Sequence, residues 1–352
     1  MHKMFFLSGN LHVMQKKILL GIRYLFFLLL GLLLAWLSLH KITSREWADI
    51  EVALKQARYF LLVPIVILYL LSHWSRAVRW KIMIGSLGYR PDTLNVFFAV
   101  LIGYLVNLAI PRLGEIVKCS ILGKHEKIPI DQLLGTIIVE RIVDVLCLFI
   151  VFAMAISLQA SAVSEYALSL IHTGAHPVSG KTWGLIIGGL VLLTVLIVFV
   201  FRRFRYNPLI MRINGVALGI WAGISKIRFM KKKGWFLFHT VFIWSMYYIC
   251  TRLGLYALKD LDNLGMTESL SVLGVGSIGM ILTPGGIGAY PILVQEILGH
   301  YHIRDAIGKT AGWLLWLVPT IVIILGGILS FVALTPSNQS LIKNGHSPEV
   351  RT

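Results

Sequence analysis

Charge is scarce in this sequence. Only 14% of its 352 residues are Asp, Glu, Lys or Arg, against roughly 25% in soluble domains. With 57% hydrophobic residues and a mean hydropathy of +0.79, that scarcity excludes an ordinary soluble domain and implies an integral membrane protein. Cysteine is also scarce: Cys119, Cys147 and Cys250 lie far apart in or beside apolar segments. They show no CxxC or Cys/His spacing, so neither a disulfide framework nor a metal site is implied. The patterns G-x-S-x-G, H-E-x-x-H and the P-loop are missing. No polar stretch is long enough to fold alone; the longest, basic segment 202–234, is too short for an independent core. An enzyme acting on a water-soluble substrate is therefore not expected, nor is a cofactor. Finally, the apolar runs lack the period-2 alternation of barrel strands, so they read as helices.

What the chain does have is length in its apolar runs. Six segments, about 18–38, 59–75, 132–157, 183–201, 235–257 and 309–331, match the roughly 20 residues a spanning helix needs. The first follows Lys3, Lys16 and Lys17 and has no A-x-A site after it, so it reads as an uncleaved span. Two further stretches are broken. Residues 94–123 run to Ala109, break at "IPRLG" and resume at Glu115; residues 268–300 run to Ile281, break at "TPGGIG" and resume at Ala289. Each has the length of a helical hairpin that dips into the membrane and returns to the same side.

The net charge of +17 supports a topology rather than nucleic-acid binding. With both broken stretches re-entrant and the N-terminus inside, segments 1–17, 76–93, 118–131, 202–234 and 332–352 face the cytoplasm. They hold 21 Lys and Arg against 7 on the outer segments, as the positive-inside rule requires. Segment 202–234, with "FRRFRY" and "KIRFMKKKGW", suits a basic helix on an anionic inner leaflet. A repeat follows. Residues 18–157 and 183–331 each hold two spans, a broken hairpin and a third span, with Pro111 and Pro284 173 residues apart. An odd number of crossings per half inverts the second half, the arrangement of many secondary transporters. The expected fold is an all-α polytopic membrane protein: a single domain of about six spanning helices and two re-entrant hairpins, N-in and C-in, with a polar tail from 332 to 352.

The candidate chemistry sits at the breaks and in one span. In "NLAIPRLGEIVK", Asn107 to Lys118, Pro111 stops one arm, Gly114 permits the turn and Glu115 opens the next arm. Free amides at that helix start favour an anion, and Arg112 can add a bidentate phosphate contact; an Arg112–Glu115 pair that neutralises itself is the alternative. In "IIVERIVDVLCLF", Glu140, Arg141 and Asp144 lie within about one turn of an apolar span. Such groups are costly in a membrane and face protein or a polar cavity. They can clamp a head group through Arg141, relay protons through the acids, or lock the helix onto the first hairpin through Arg112 and Glu115. The second break, "TPGGIGAYP", is uncharged. Pro284, Gly285, Gly286 and Gly288 offer either backbone amides for an oxyanion or a tight packing turn. "GVGSIG", Gly274 to Gly279, matches a dinucleotide fingerprint but lies within a helix arm, so it reads as a packing face. Arg252, among Trp and Tyr, reads as an interfacial anchor rather than a site, and the lone His239 reads the same way.

Together "NLAIPRLGE", "VERIVD" and "TPGGIGAYP" resemble the transmembrane region of lysylphosphatidylglycerol synthases and the stand-alone flippase-like proteins similar to it. The resemblance spans essentially the whole chain. It implies an N-in bundle with two re-entrant hairpins, in a bacterial inner membrane, that moves or handles phospholipids. Synthase activity is not implied, since the aminoacyl-transferase domain of full-length synthases is not expected here. Many relatives place a glutamate just after the second glycine turn; this chain has Tyr290 and Pro291 there, with Glu296 further on. The resulting expectation is a translocase of anionic or aminoacylated phospholipid. The alternatives are a non-transporting partner of a lipid-synthesis enzyme and an ion-coupled transporter of a small solute. No nucleic-acid partner is expected.

Overall fold

A computed structural model describes residues 29–40, 42–158 and 230–334 of the chain. The expected span at 183–201, nearly all of the basic connection, the N-terminal segment and the C-terminal tail beyond Leu334 lie outside the described residues. Among those described there are ten α-helices and no strand. In chain order they are α1 (Leu29–His40), α2 (Ser44–Lys55), α3 (Leu62–Gly85), α4 (Thr93–Ala109), α5 (Leu113–Glu126) and α6 (Ile130–Leu158), then α7 (Lys233–Tyr256), α8 (Met266–Leu282), α9 (Ala289–His300) and α10 (Asp305–Ala333).

Local chemistry fixes the boundaries. Thr43 caps α2 in a reciprocal box: its hydroxyl accepts from the Glu46 amide, and the Glu46 carboxylate accepts from the Thr43 amide. Asp92 caps α4 through the Leu94 amide at 2.8 Å. Helix α4 ends at Ala109, two residues before Pro111, because the residue ahead of a proline is pushed out of the helical region. At the second break Gly285, Gly286 and Gly288 all have positive φ, which glycine adopts without steric cost.

Two helices, Tyr59–Gly85 (with the short 3₁₀ turn before α3) and Asp305–Ala333, are long and apolar enough to cross a membrane. By contrast α5 and α9, with 14 and 12 residues, reach only about 21 and 18 Å, short of a hydrocarbon core of roughly 30 Å. One expected boundary is wrong. The second apolar run does not stop at 75, because α3 continues through Arg76 and Arg79 to Gly85. Hydropathy falls at the arginines, but both are buried and ion-paired, so the helix carries on.

Packing relates the two halves. Helix α3 packs on α7; α4 pairs with α5, and α8 with α9; α4 also crosses to α10, and α8 to α6. Exchanging α3, α4, α5 and α6 for α7, α8, α9 and α10 maps these pairs onto one another. Two large apolar cores form, each drawn mainly from one half and joined by residues of the other, Phe236 in the first and Ala53 in the second. One gathers Trp80, Ile84, Val96, Leu122 and Leu133; the other Leu255, Leu258, Val294, Leu298 and Ile307. Large apolar side chains such as Val63, Phe149, Ile150, Leu325 and Leu329 stay exposed on the long helices. A water-soluble surface seldom shows so much apolar area together.

Candidate functional site

The first half carries a buried charge cluster built from three helices. Helix α3 supplies Arg76 and Arg79, α5 supplies Lys118, and α6 supplies Glu140 and Asp144. Arg76 reaches Glu140 at 3.2 Å and Asp144 at 2.9 Å; Arg79 reaches the same two carboxylates at 3.3 and 2.8 Å. Lys118 Nζ donates to Glu140 at 3.1 Å. Arg79 is 0% exposed and Glu140 only 1%. The i, i+3 spacing of the arginines and the i, i+4 spacing of the acids put each pair on one face of its helix, so two cations meet two anions. Aromatic rings line the cluster. The Arg76 guanidinium sits over Tyr104 and Tyr247, its Nε donates to the Tyr247 hydroxyl at 3.1 Å, and Lys118 Nζ lies 4.6 Å from the Trp80 ring centroid.

Beside this lock lies a small cleft at the first hairpin, with about 10 Å³ of room, enough for one water. Tyr104, Asn107, Gly114, Glu115, Lys118 and Arg141 line it. Asn107 ties the turn together: its Oδ1 accepts from the Gly114 amide at 2.8 Å, and its Nδ2 donates to Glu115 at 3.2 Å. Gly114 is needed because a Cβ there would overlap the Gly103 carbonyl across the hairpin. Arg141 has a 45% exposed side chain and lies 3.8 Å from Glu115 and 3.9 Å from Glu140.

Of the residues singled out in the sequence, Glu115, Glu140, Arg141 and Asp144 come together, and Asn107 joins them. Arg112 does not. It is exposed at the turn with φ 67° and has no ion pair among the described residues, so the self-neutralising Arg112–Glu115 pair is absent. The acids of α6 are held by α3 and α5, not by the Arg112 side of the hairpin. The charge-based topology puts Arg76, Arg79 and Lys118 in cytoplasmic segments, outside the expected cluster. Their signal was present in "SRAVRW", two arginines on one helix face matching the paired acids of "VERIVD".

The second break is built from packing. The Gly286 amide bonds to Thr283 O, the Ile287 amide to Pro284 O and the Ala289 amide to Ile287 O. Pro291 has no amide hydrogen to offer. The Gly285 carbonyl accepts from Trp316 Nε1 at 2.8 Å. A Cβ on Gly285 would strike Leu108 of α4, and one on Gly288 would strike the α1 backbone. The two tips therefore meet, glycine of one against leucine of the other. Gly276 and Gly279 of the fingerprint-like run lie against Tyr290, a close-packing role. His239 is hydrogen-bonded to Ser75 at 2.8 Å, and Arg252 donates to the Leu264 carbonyl.

These features can be set beside known proteins. No solved structure matches the chain. A UPF0104 membrane protein of Methanocaldococcus jannaschii is 25% identical over 350 residues, covering 92% of this chain and 96% of the relative. The family described as lysylphosphatidylglycerol synthase TM region matches residues 22–327. The chain is thus a membrane protein belonging to the lysylphosphatidylglycerol synthase transmembrane-region family.

Proposed function

We propose that this protein is a flippase-like translocase of anionic or aminoacylated phospholipid, working without nucleotide hydrolysis and gripping the head-group phosphate at the first hairpin. The observation that carries the reading is the placement of the cleft. Arg141, which lines it, lies eleven residues into α6, and Arg76 of the adjoining lock nine residues before the end of α3. These come to about 14–17 Å along the helices, near half the thickness of a bilayer core. A cleft with an exposed arginine well inside long apolar helices, beside a broken helix, resembles where transporters of inverted-repeat design bind substrate. The contact pattern that maps one half onto the other supports the repeat within this reading; six spans, two re-entrant hairpins and the N-in, C-in orientation are part of the proposal. Arg112, exposed at the turn, makes the first contact with the phosphate, and Arg141 receives it. Acyl chains remain in lipid while the halves rock. The ion-coupled alternative is disfavoured because Glu140 and Asp144 already accept from Arg76, Arg79 and Lys118. A proton relay would have to break that lock.

The test is reconstitution into liposomes with fluorescent phospholipids of several head groups, scored by the fraction a membrane-impermeant reductant bleaches. The protein is expected to accelerate exchange of anionic lipid between leaflets, and Arg141→Gln to slow it. Exchange rates equal to those of protein-free liposomes for every head group overturn the reading.

A further inference from the structure

Distances divide the cations around the first hairpin into two kinds. Arg76, Arg79 and Lys118 touch their carboxylates at 2.8 to 3.3 Å. Arg141 does not. Its Nη2 lies 3.8 Å from Glu115 Oε1 and 3.9 Å from Glu140 Oε1, beyond hydrogen-bond range of both. Polar groups facing one another at such a separation are commonly joined by a water.

The space beside Arg141 has the size and the chemistry for that water. The cleft that Arg141 lines offers about 10 Å³, close to the least volume that holds one water molecule. Three groups of its lining residues are open to such an occupant. The first is the Arg141 guanidinium. The second is Glu115 Oε1: Asn107 Nδ2 donates to Oε2 at 3.2 Å, so the other oxygen is the one turned to Arg141. The third is the Tyr104 hydroxyl, buried without a partner. The Tyr104 ring packs against His73 and lies under the Arg76 guanidinium, which limits its freedom to turn toward another acceptor. A buried hydroxyl with no partner is rare in native proteins, and a buried water typically makes about three hydrogen bonds.

We propose that the cleft is a hydration site for one ordered water. The water accepts from Arg141 Nη2 and from the Tyr104 hydroxyl, and donates to Glu115 Oε1. The bridge joins Tyr104 of α4, Glu115 of α5 and Arg141 of α6 at one point. It gives the Tyr104 hydroxyl its partner and lets Arg141 keep its charge at membrane depth, where a bare guanidinium is costly. It also sets Arg141 apart from the lock. Arg76 and Arg79 are fixed by direct bonds, whereas Arg141, with a 45% exposed side chain, is held through a water and stays free to turn. The small volume excludes a head group from this point, and Arg112, outside the lining, takes no part. The inference goes beyond the lipid reading and does not depend on it.

A crystal structure of the purified full chain, at a resolution that shows ordered waters, is the direct test. The expected result is a solvent peak within about 3 Å of Arg141 Nη2, Glu115 Oε1 and the Tyr104 hydroxyl. Arg141 bonded directly to Glu115, with no peak in the cleft, overturns the proposal. A crystal soaked in bromide separates water from a halide: an anomalous peak at the site makes the occupant an anion and overturns it as well. Thermal midpoints of Tyr104→Phe, Glu115→Gln and the double variant, in neutral detergent, give a second test. Tyr104 and Glu115 share no direct bond, so only the water couples them. The loss in the double variant should fall short of the sum of the two single losses. Strictly additive losses overturn the bridge. Neither measurement contains added lipid, so failure here leaves the liposome test of the proposed function untouched.

Discussion

The turn between α4 and α5 carries Arg112 and is flanked by Asn107 and Glu115, while the turn between α8 and α9 has no charged residue and three glycines. Both interrupt a helix inside an apolar bundle, and both must satisfy the freed backbone. The first does so with a side chain: Asn107 accepts from the Gly114 amide. The second does so with backbone-to-backbone bonds and one tryptophan, Trp316, on the Gly285 carbonyl. The first turn is left with a polar cleft beside it, and the second is closed against α1 and α4. The comparison teaches that a break in a membrane helix is not by itself a site. It becomes a candidate where side chains satisfy the break and polar space remains. A division of labour in which the second tip binds with its amides is not favoured, since those of Gly286, Ile287 and Ala289 are already bonded.

The largest effect should come from the lock that supports the first turn. Glu140→Gln would leave Arg76, Arg79 and Lys118 facing Asp144 alone. Removing one partner from a buried ion pair typically costs about 3–5 kcal/mol. The thermal midpoint in detergent should fall steeply; a midpoint equal to that of the wild type would mean the cluster contributes nothing to holding α3, α5 and α6 together.

Gly288→Val probes the second turn. Its φ of 70° and the proximity of the α1 backbone combine left-handed strain of roughly 1–2 kcal/mol with overpacking of about 1–3 kcal/mol. The comparison is sharpened by head-group preference, which should not change in whatever fraction stays folded. A changed preference would make the second tip part of the binding site.

Arg112→Gln should do the reverse. An exposed residue with no ion pair adds little to stability, so the midpoint should stay within about 0.5 kcal/mol of the wild type. Affinity for anionic lipid should fall roughly tenfold, about 1.4 kcal/mol, as one charge-assisted contact is lost. Equal affinity in variant and wild type would restrict the phosphate contact to Arg141.

How much of this the sequence discloses depends on which physical signal each element carries. Helix breaks are legible because Pro111, Pro284 and the glycines act locally on φ and ψ. That is why the arms at 93–109, 113–126, 266–282 and 289–300 fall close to expectation. The reach of α3 was hidden for the opposite reason. Hydropathy reads Arg76 and Arg79 as exposed loop residues, and only pairing with Glu140 and Asp144, more than 60 positions later, makes them affordable inside. Glu115's neighbours were half legible: Arg141 was among the residues expected to gather, but the absence of an Arg112 contact depends on the left-handed turn at that residue.

The smallest effect belongs to the other end of α3, where charges meet in water. Arg58 is bonded to Asp262 at 2.5 and 2.6 Å, and Arg304 bridges Asp49 and Asp260. The hydrogen bond from Arg58 holds the Asp262 carboxyl below its ordinary value. At Glu46 the capping amide of Thr43 does the same, helped by Lys309. A depressed folded-state value means the unfolded chain binds protons more readily. Their contribution is therefore complete above the ordinary carboxylate range near 4 and is lost as pH falls through the folded-state values. Asp262→Asn should flatten the acid limb of a midpoint-against-pH curve slightly while leaving the neutral region within the small range of exposed ion pairs, about 0–1 kcal/mol. In Glu140→Gln, by contrast, the loss should already be present at pH 7. A neutral-pH loss in Asp262→Asn as large as that of Glu140→Gln would erase the distinction between ion pairs that trim the surface and the buried set that builds the site.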